Sequence, residues 1–291
     1  ARQQNAATQD IAMAGSSFKP FALIANARAG GSVYDTYSGS SPQSFPGLTE
    51  PVRNNANVSY GKINLITATE YSVNTSFVAL NKDIGPAATM QAAIDAGIPE
   101  STLGLDSSLL NVLGFASPHN IDLASAYATI ANGGQRMTPH IVRSVAGSAD
   151  NTIFTTTVEA RQAFSSTHVS AIMPALQAVT ASGGTAETVS STLPGFTTAG
   201  KTGTSNDQLS AQFIGFVPEL VTAVSMYQSD EEGNAVSLAN IGGLDQFHGG
   251  DWPVTVWNTY MSAISSTLSQ QTFSWYVAPK RQSNQQTMSQ S

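Results

Sequence analysis

Ser16 and Lys19 stand three residues apart in the run Gly15-Ser16-Ser17-Phe18-Lys19, a spacing that places a hydroxyl and an amine on one helical face, a turn apart. Serine becomes a nucleophile only when a base takes its proton, and lysine is that base only where its surroundings favour the neutral amine. The positive end of a helix opening there adds a partner for a developing oxyanion. The same S-x-x-K pattern recurs from Ser59 to Lys62. Gly61 interrupts that copy and no helical periodicity fixes its geometry, so it is set aside as coincidence.

Two further short signals follow. Ser72-Val73-Asn74 opens a helical run whose Phe77, Val78 and Leu80 face a core; alone, such a triplet reads as helix capping. Lys201-Thr202-Gly203-Thr204 sits in a strand-like stretch. Glycine weakens a strand and is tolerated where a ligand or another backbone comes close. One cation and two hydroxyls beside that gap suit a carboxylate, and the alternative is an exposed edge guarded by a lysine.

The elements that must position these groups are helical first and stranded later. Apolar periodicity predicts helices over Phe18 to Ala29, Ile63 to about Lys82, Ala87 to Ala96, Ile121 to Ala131 and Ser165 to Thr180, with Pro174 predicting a kink or shifted boundary in the last. Strand signals cover His140 to Ala146 with Thr152 to Val158, and Ala211 to Val217 with Leu220 to Tyr227 around Pro218-Glu219. With Thr197 to Thr204 they give an antiparallel sheet, and hence an α+β fold with flanking helices and a mainly helical subdomain. Ser32 to Tyr60 reads as a long surface excursion of the kind that is often functional. One domain is expected over 1–278, followed by a frayed polar tail over 279–291.

Composition narrows the function classes. The 291 residues include no cysteine, 41% hydrophobic residues and 11% charged ones, well below the roughly 25% charged of ordinary domains, so disorder through excess charge is excluded. Nineteen acidic against twelve basic residues give a net charge of −7, which repels nucleic acid. No apolar run approaches a membrane span and Ala1 to Asp10 is polar, so no anchor or signal peptide is expected within this sequence. Disulfides, thiol nucleophiles and thiolate metal sites are absent. His119, His140, His168 and His248 lack metal-ligand spacing and read as structural or surface residues, so neither a metal nor a cofactor is expected. Trp252, Trp257 and Trp275 read as packing for the C-terminal end.

In this order the three motifs form a specific set. Gly15 to Phe21 (GSSFKPF), Ser72 to Asn74, Asp122 to Gly134 (DLASAYATIANGG) and Gly200 to Ser205 (GKTGTS) resemble the transpeptidase domain of bifunctional, class A penicillin-binding proteins, over Asn5 to about Phe273. The resemblance implies a transpeptidase fold like that of serine β-lactamases, and acyl transfer on peptidoglycan stem peptides ending in D-Ala-D-Ala, inhibited by β-lactams. Ser16 then attacks the penultimate carbonyl and Lys19 takes its proton. Ser72 relays a proton to the leaving D-alanine, and Asn74 holds Lys19 and the substrate amide. Lys201, Thr202 and Thr204 bind the terminal carboxylate, the backbone N–H groups of Ser16 and Thr204 form the oxyanion hole, and the strand around Gly203 accepts the donor as an added strand. Lys201 is the positive neighbour expected to lower the Lys19 pKa.

The resemblance also implies a longer parent protein on the extracytoplasmic face of the bacterial membrane, with a glycosyltransferase domain, an N-terminal anchor and cell-wall synthesis proteins as partners. Family members usually carry a strand or two before the nucleophile helix, whereas fifteen residues precede Ser16 here, and Ser210-Ala211-Gln212 stands where the family often has Asp-Ala-Trp. The competing readings are a serine β-lactamase or D,D-carboxypeptidase, and a penicillin-sensing or scaffolding module. A class A β-lactamase needs a glutamate-positioned water. Glu100, Glu159 and Glu187 lie between Asn74 and Lys201, none opens an E-x-x-N, and the one such pattern, Glu231 to Asn234, falls later.

Overall fold

The computed structural model describes residues 4–148 and 151–278, so the expected tail over 279–291 lies outside the described residues. A short helix α1 (Ala6–Gln9) leads to a 3-10 turn at Gly15–Phe18, which passes directly into α2 (Lys19–Arg28). Two short strands, β1 (Thr36–Ser38) and β2 (Lys62–Asn64), pair antiparallel and enclose most of the excursion over 32–60. The helix predicted from Ile63 to Lys82 is instead three pieces: β2, α3 (Leu65–Glu70) and α4 (Asn74–Ile84). The break falls at Ser72, whose φ of 56° no helix interior accepts. The apolar periodicity runs through because both helices bury their apolar residues in one core.

Helices α5 (Pro86–Ala96) and α6 (Asn120–Ala131) match their predicted positions. Beyond them come β3 (Gln135–Met137), β4 (Ser144–Ala146), β5 (Thr152–Thr155) and β6 (Ala160–Gln162). Strands β4 and β5 form the expected hairpin, but as a separate two-stranded sheet. Val145 opposes Phe154 there, and among the described residues no core cluster covers the pair, so Ile153 and Phe154, with Ile141 just before β4, remain exposed. Helix α7 (Ser166–Thr180) keeps its predicted span with Pro174 inside it. Then follow α8 (Thr188–Thr192), β7 (Ala199–Thr204), β8 (Ser210–Val217), β9 (Leu220–Ser229), β10 (Ala235–Val236) and α9 (Trp252–Ile264).

The central sheet is antiparallel with the order β10-β9-β8-β7. Every residue of β8 is buried, because both faces are covered. Ile214 and Phe216 join a large core with α2, α6 and α7, while Phe213 and Val217 face Trp257 and Met261 of α9. Leu65 to Ala131 shares that large core, so the helical part is continuous with the sheet layer. Phe18, Phe21, Tyr127, Phe216 and Phe273 form a chain of edge-to-face contacts through it. Of the three tryptophans, Trp257 is buried and packs α9 onto the sheet, and Trp275 packs against Phe273. Trp252 is 42% exposed, contrary to its expected packing role.

Candidate active site

The nucleophile candidate sits in a 3-10 turn, where residues i and i+3 eclipse. Ser16 Oγ therefore stands 2.9 Å from Lys19 Nζ. Two glycines press this turn against its neighbours. A Cβ on Gly15 would fall 2.6 Å from the Thr204 carbonyl, and one on Gly203 would fall 2.5 Å from Ala14 O and 3.1 Å from Ser17 N. The close approach expected at Gly203 thus comes from the nucleophile turn itself. The turn is also tied from below: Tyr127, fully buried on α6, donates to Ser17 O at 2.7 Å, and its burial holds the phenol neutral by raising its pKa.

Lys19 is wholly buried, and its Nζ has four oxygen neighbours: Ser16 Oγ, Ser72 O at 2.8 Å, Ser72 Oγ at 3.1 Å and Asn74 Oδ1 at 2.8 Å. The Ser72 carbonyl and Asn74 Oδ1 can only accept, so they take the two protons of a neutral amine and leave its lone pair facing the serine hydroxyls. Burial first, and the charge of Lys201 second, hold the Lys19 pKa well below the ordinary lysine range. Lys201 is equally buried, donates to Ser72 Oγ at 2.9 Å and to Thr202 O at 3.0 Å, and is lowered by burial to about 7. One hydroxyl, Ser72 Oγ, therefore touches both lysines.

The capping reading of Ser72 and Asn74 is overturned. Val73 caps α4 without a side-chain bond, and Asn74 uses its amide to join Lys19 to the Arg53 carbonyl, which accepts from Nδ2 at 2.9 Å. Arg53 belongs to the excursion, so that long loop forms a wall of the cleft. Asn54 staples it there. Its Nδ2 donates to Gly39 O and Val58 O, both at 2.9 Å, and its Oδ1 accepts from Thr75 N–H at 3.0 Å.

Ser16, Ser72, Asn74, Thr202 and Thr204 line one cleft of about 450 Å³. Ser59 and Lys62, the discarded pair, are exposed and outside it. Among the cleft-lining residues none is acidic. Thr185 and Gly250, which sequence reasoning left out, also line the cleft, and so does His248, expected to be structural or surface. The glycine pairs Gly183-Gly184 and Gly249-Gly250 were the available signal, since a Cβ on Gly249 would fall 2.4 Å from Gly203 O. Gln212 and Ser210 both donate to Met13 O, the latter at 2.7 Å, and so anchor the chain just before Ser16. That is what the Ser-Ala-Gln departure does here. No group of three or more His, Asp or Glu residues able to hold a metal occurs among the described residues.

Comparison with known proteins shows the family and the fold. The profile of the penicillin binding protein transpeptidase domain matches residues 2–240. Penicillin-binding protein 1A of Mycolicibacterium smegmatis is 31% identical over 231 residues, 72% of this chain and 28% of its own length. Penicillin-binding protein 1A of Neisseria cinerea is 30% identical over 268 residues, 88% of this chain and 32% of its own length. The chain thus spans about a third of these relatives. Among solved structures, the penicillin-binding protein PonA1 of Mycobacterium tuberculosis superposes with a TM-score of 0.81 at 26% identity, covering 94% of this chain and 74% of that one. The same protein in complex with penicillin V gives 0.81 at 28% identity over the same shares.

Proposed function

The chain belongs to the penicillin-binding protein transpeptidase family, and from that premise we propose that it is a D,D-transpeptidase acting through an acyl-Ser16 intermediate on stem peptides ending in D-Ala-D-Ala. The observation that carries this reading is the unbroken run from Ser16 Oγ to Lys19 Nζ, Ser72 Oγ and Lys201 Nζ, with steps of 2.9, 3.1 and 2.9 Å. Neutral Lys19 takes the Ser16 proton as the oxygen attacks the penultimate carbonyl. The oxyanion rests on the N–H groups of Ser16 and Thr204, donors of a kind whose loss costs ~10²–10³ in rate. When the C–N bond breaks, Ser72 gives its proton to the departing D-alanine amine and regains one from Lys19. An acceptor amine then attacks the acyl carbon, its proton returns through Lys19, and Ser16 leaves as the alcohol. Asn74 keeps Lys19 in line, and Lys201, Thr202 and Thr204, beside Gly203 on the strand, receive the donor carboxylate.

Hydrolytic release is disfavoured because no carboxylate among the described residues lines the cleft to position a water, which argues against a β-lactamase. In this reading residues 1–278 are the transpeptidase portion of a longer, membrane-anchored enzyme outside the cytoplasmic membrane, with a glycosyltransferase in its other part. Benzylpenicillin should leave a persistent one-to-one mass adduct on Ser16 and none on the Ser16→Ala variant. Lipid-linked precursor should yield cross-links to an amine acceptor. An adduct without any cross-linking supports a sensing module and refutes the transpeptidase assignment.

A further inference from the structure

Thr185 stands in the turn between α7 and α8 and lines the same cleft as Ser16 and Ser72. Its backbone is held from three sides. Its N–H donates to Glu70 O at 3.3 Å, two residues before Ser72. A Cβ on Gly184 would fall 2.3 Å from Ala178 O at the end of α7, and one on Gly250 would fall 2.5 Å from Thr185 O. The hydroxyl so fixed lies 2.8 Å from Thr202 Oγ1.

A hydroxyl has one proton to give and two lone pairs to fill. A carboxylate only accepts, so a threonine that binds it gives that anion its proton, and whatever else touches the threonine oxygen must be a donor. At Thr204 this donor is the Gly249 N–H, which reaches Oγ1 at 3.0 Å. At Thr202 the Lys201 ammonium is distant, at 3.5 Å, and turned mainly to Ser72 Oγ at 2.9 Å. The Thr185 hydroxyl occupies the equivalent place. We propose that Thr185 is a positioning residue that donates to Thr202 Oγ1 and thereby aims the Thr202 O–H at the carboxylate of the acyl donor. The inference rests on reading Lys201, Thr202 and Thr204 as the carboxylate subsite.

The test compares benzylpenicillin with its methyl ester, which lacks the anion, by the second-order rate of Ser16 acylation followed by intact mass. Thr185→Val should slow the free acid about tenfold, the scale of one hydrogen bond to a charged group, and leave the ester within about twofold. Thr185→Ser should restore most of the free-acid rate. Equal slowing of both compounds, or no slowing of either, overturns the proposal. If the parent forms no adduct with either compound, the acyl-serine reading fails instead. Equilibrium binding of benzylpenicillin to Ser16→Ala with and without Thr185→Val then decides: about tenfold weaker binding in the double variant supports the proposal, and equal binding overturns it.

Discussion

The cleft and the β4–β5 hairpin invert the usual placement of residues in opposite ways. In the cleft two lysines are completely buried; just before the hairpin Ile141 is fully exposed, and within it Phe154 is half exposed. Buried cations are costly, and they persist only where surrounding contacts over-determine them. Lys19 has four oxygen neighbours from three residues, whereas the hairpin strands pair chiefly with each other. The lesson is that costly burial in this molecule is concentrated at the candidate site, while the exposed apolar arm contributes little to holding the body together.

The sharpest way to break that contrast is to remove a buried charge. Lys201→Met should lower acylation by roughly 10²–10³ and move the acid limb of its pH profile to higher pH, because Lys19 loses the positive neighbour that lowers its pKa. The same change should stabilise the fold. Lys201 is lowered to about 7 when folded and titrates near 10.4 unfolded. Its burial cost is therefore fully present below about pH 7 and fades towards pH 10, as only the unfolded chain still holds the proton. Denaturation at pH 6 should show the variant more stable by about 1–3 kcal/mol, with the advantage shrinking at pH 9. An unshifted limb breaks the coupling between the lysines.

A smaller effect is expected at the loop that closes one wall. Asn54→Ala removes the partner of the Thr75 N–H and of the Val58 carbonyl, while the Gly39 carbonyl keeps only its bond from the Tyr60 N–H. The loss should be about 2–4 kcal/mol by urea titration, with slower acylation as Asn74 loses the wall it leans on. Ile141→Ser or Phe154→Ser should have the smallest effect. Stability should stay within about 0.5 kcal/mol of the parent, and acylation should be unchanged. A hairpin variant that slows acylation severalfold would join the two regions.

The three motifs were legible because each is a local pattern, and the fold brings all of them to one cleft. The spans of α5, α6 and α7 were legible for the same reason, since period and caps are local. The break at Ser72 was not: its φ of 56° is imposed by the need to present one hydroxyl to two lysines brought from positions 19 and 201, a tertiary demand on a sequence whose apolar period continues. Asn54, Tyr127, Thr185 and Gln212 carried no signal of their own type, because their value lies in partners distant along the chain. Asn54 sat in the excursion over 32–60, Tyr127 in the stretch Asp122 to Gly134 and Gln212 in the Ser210-Ala211-Gln212 triplet, and Thr185 follows the pair Gly183-Gly184.

Strand alternation has one more consequence at β7. Lys201 and Gly203 face the nucleophile turn, while Thr202 and Thr204 face Thr185 and Gly249. A slip of one residue against β8 would exchange these two sets, driving a threonine into the space where a Cβ on Gly203 already falls 2.5 Å from Ala14 O. The strand can be read in a single frame, and the turn it supports acts as the proofreader of that frame.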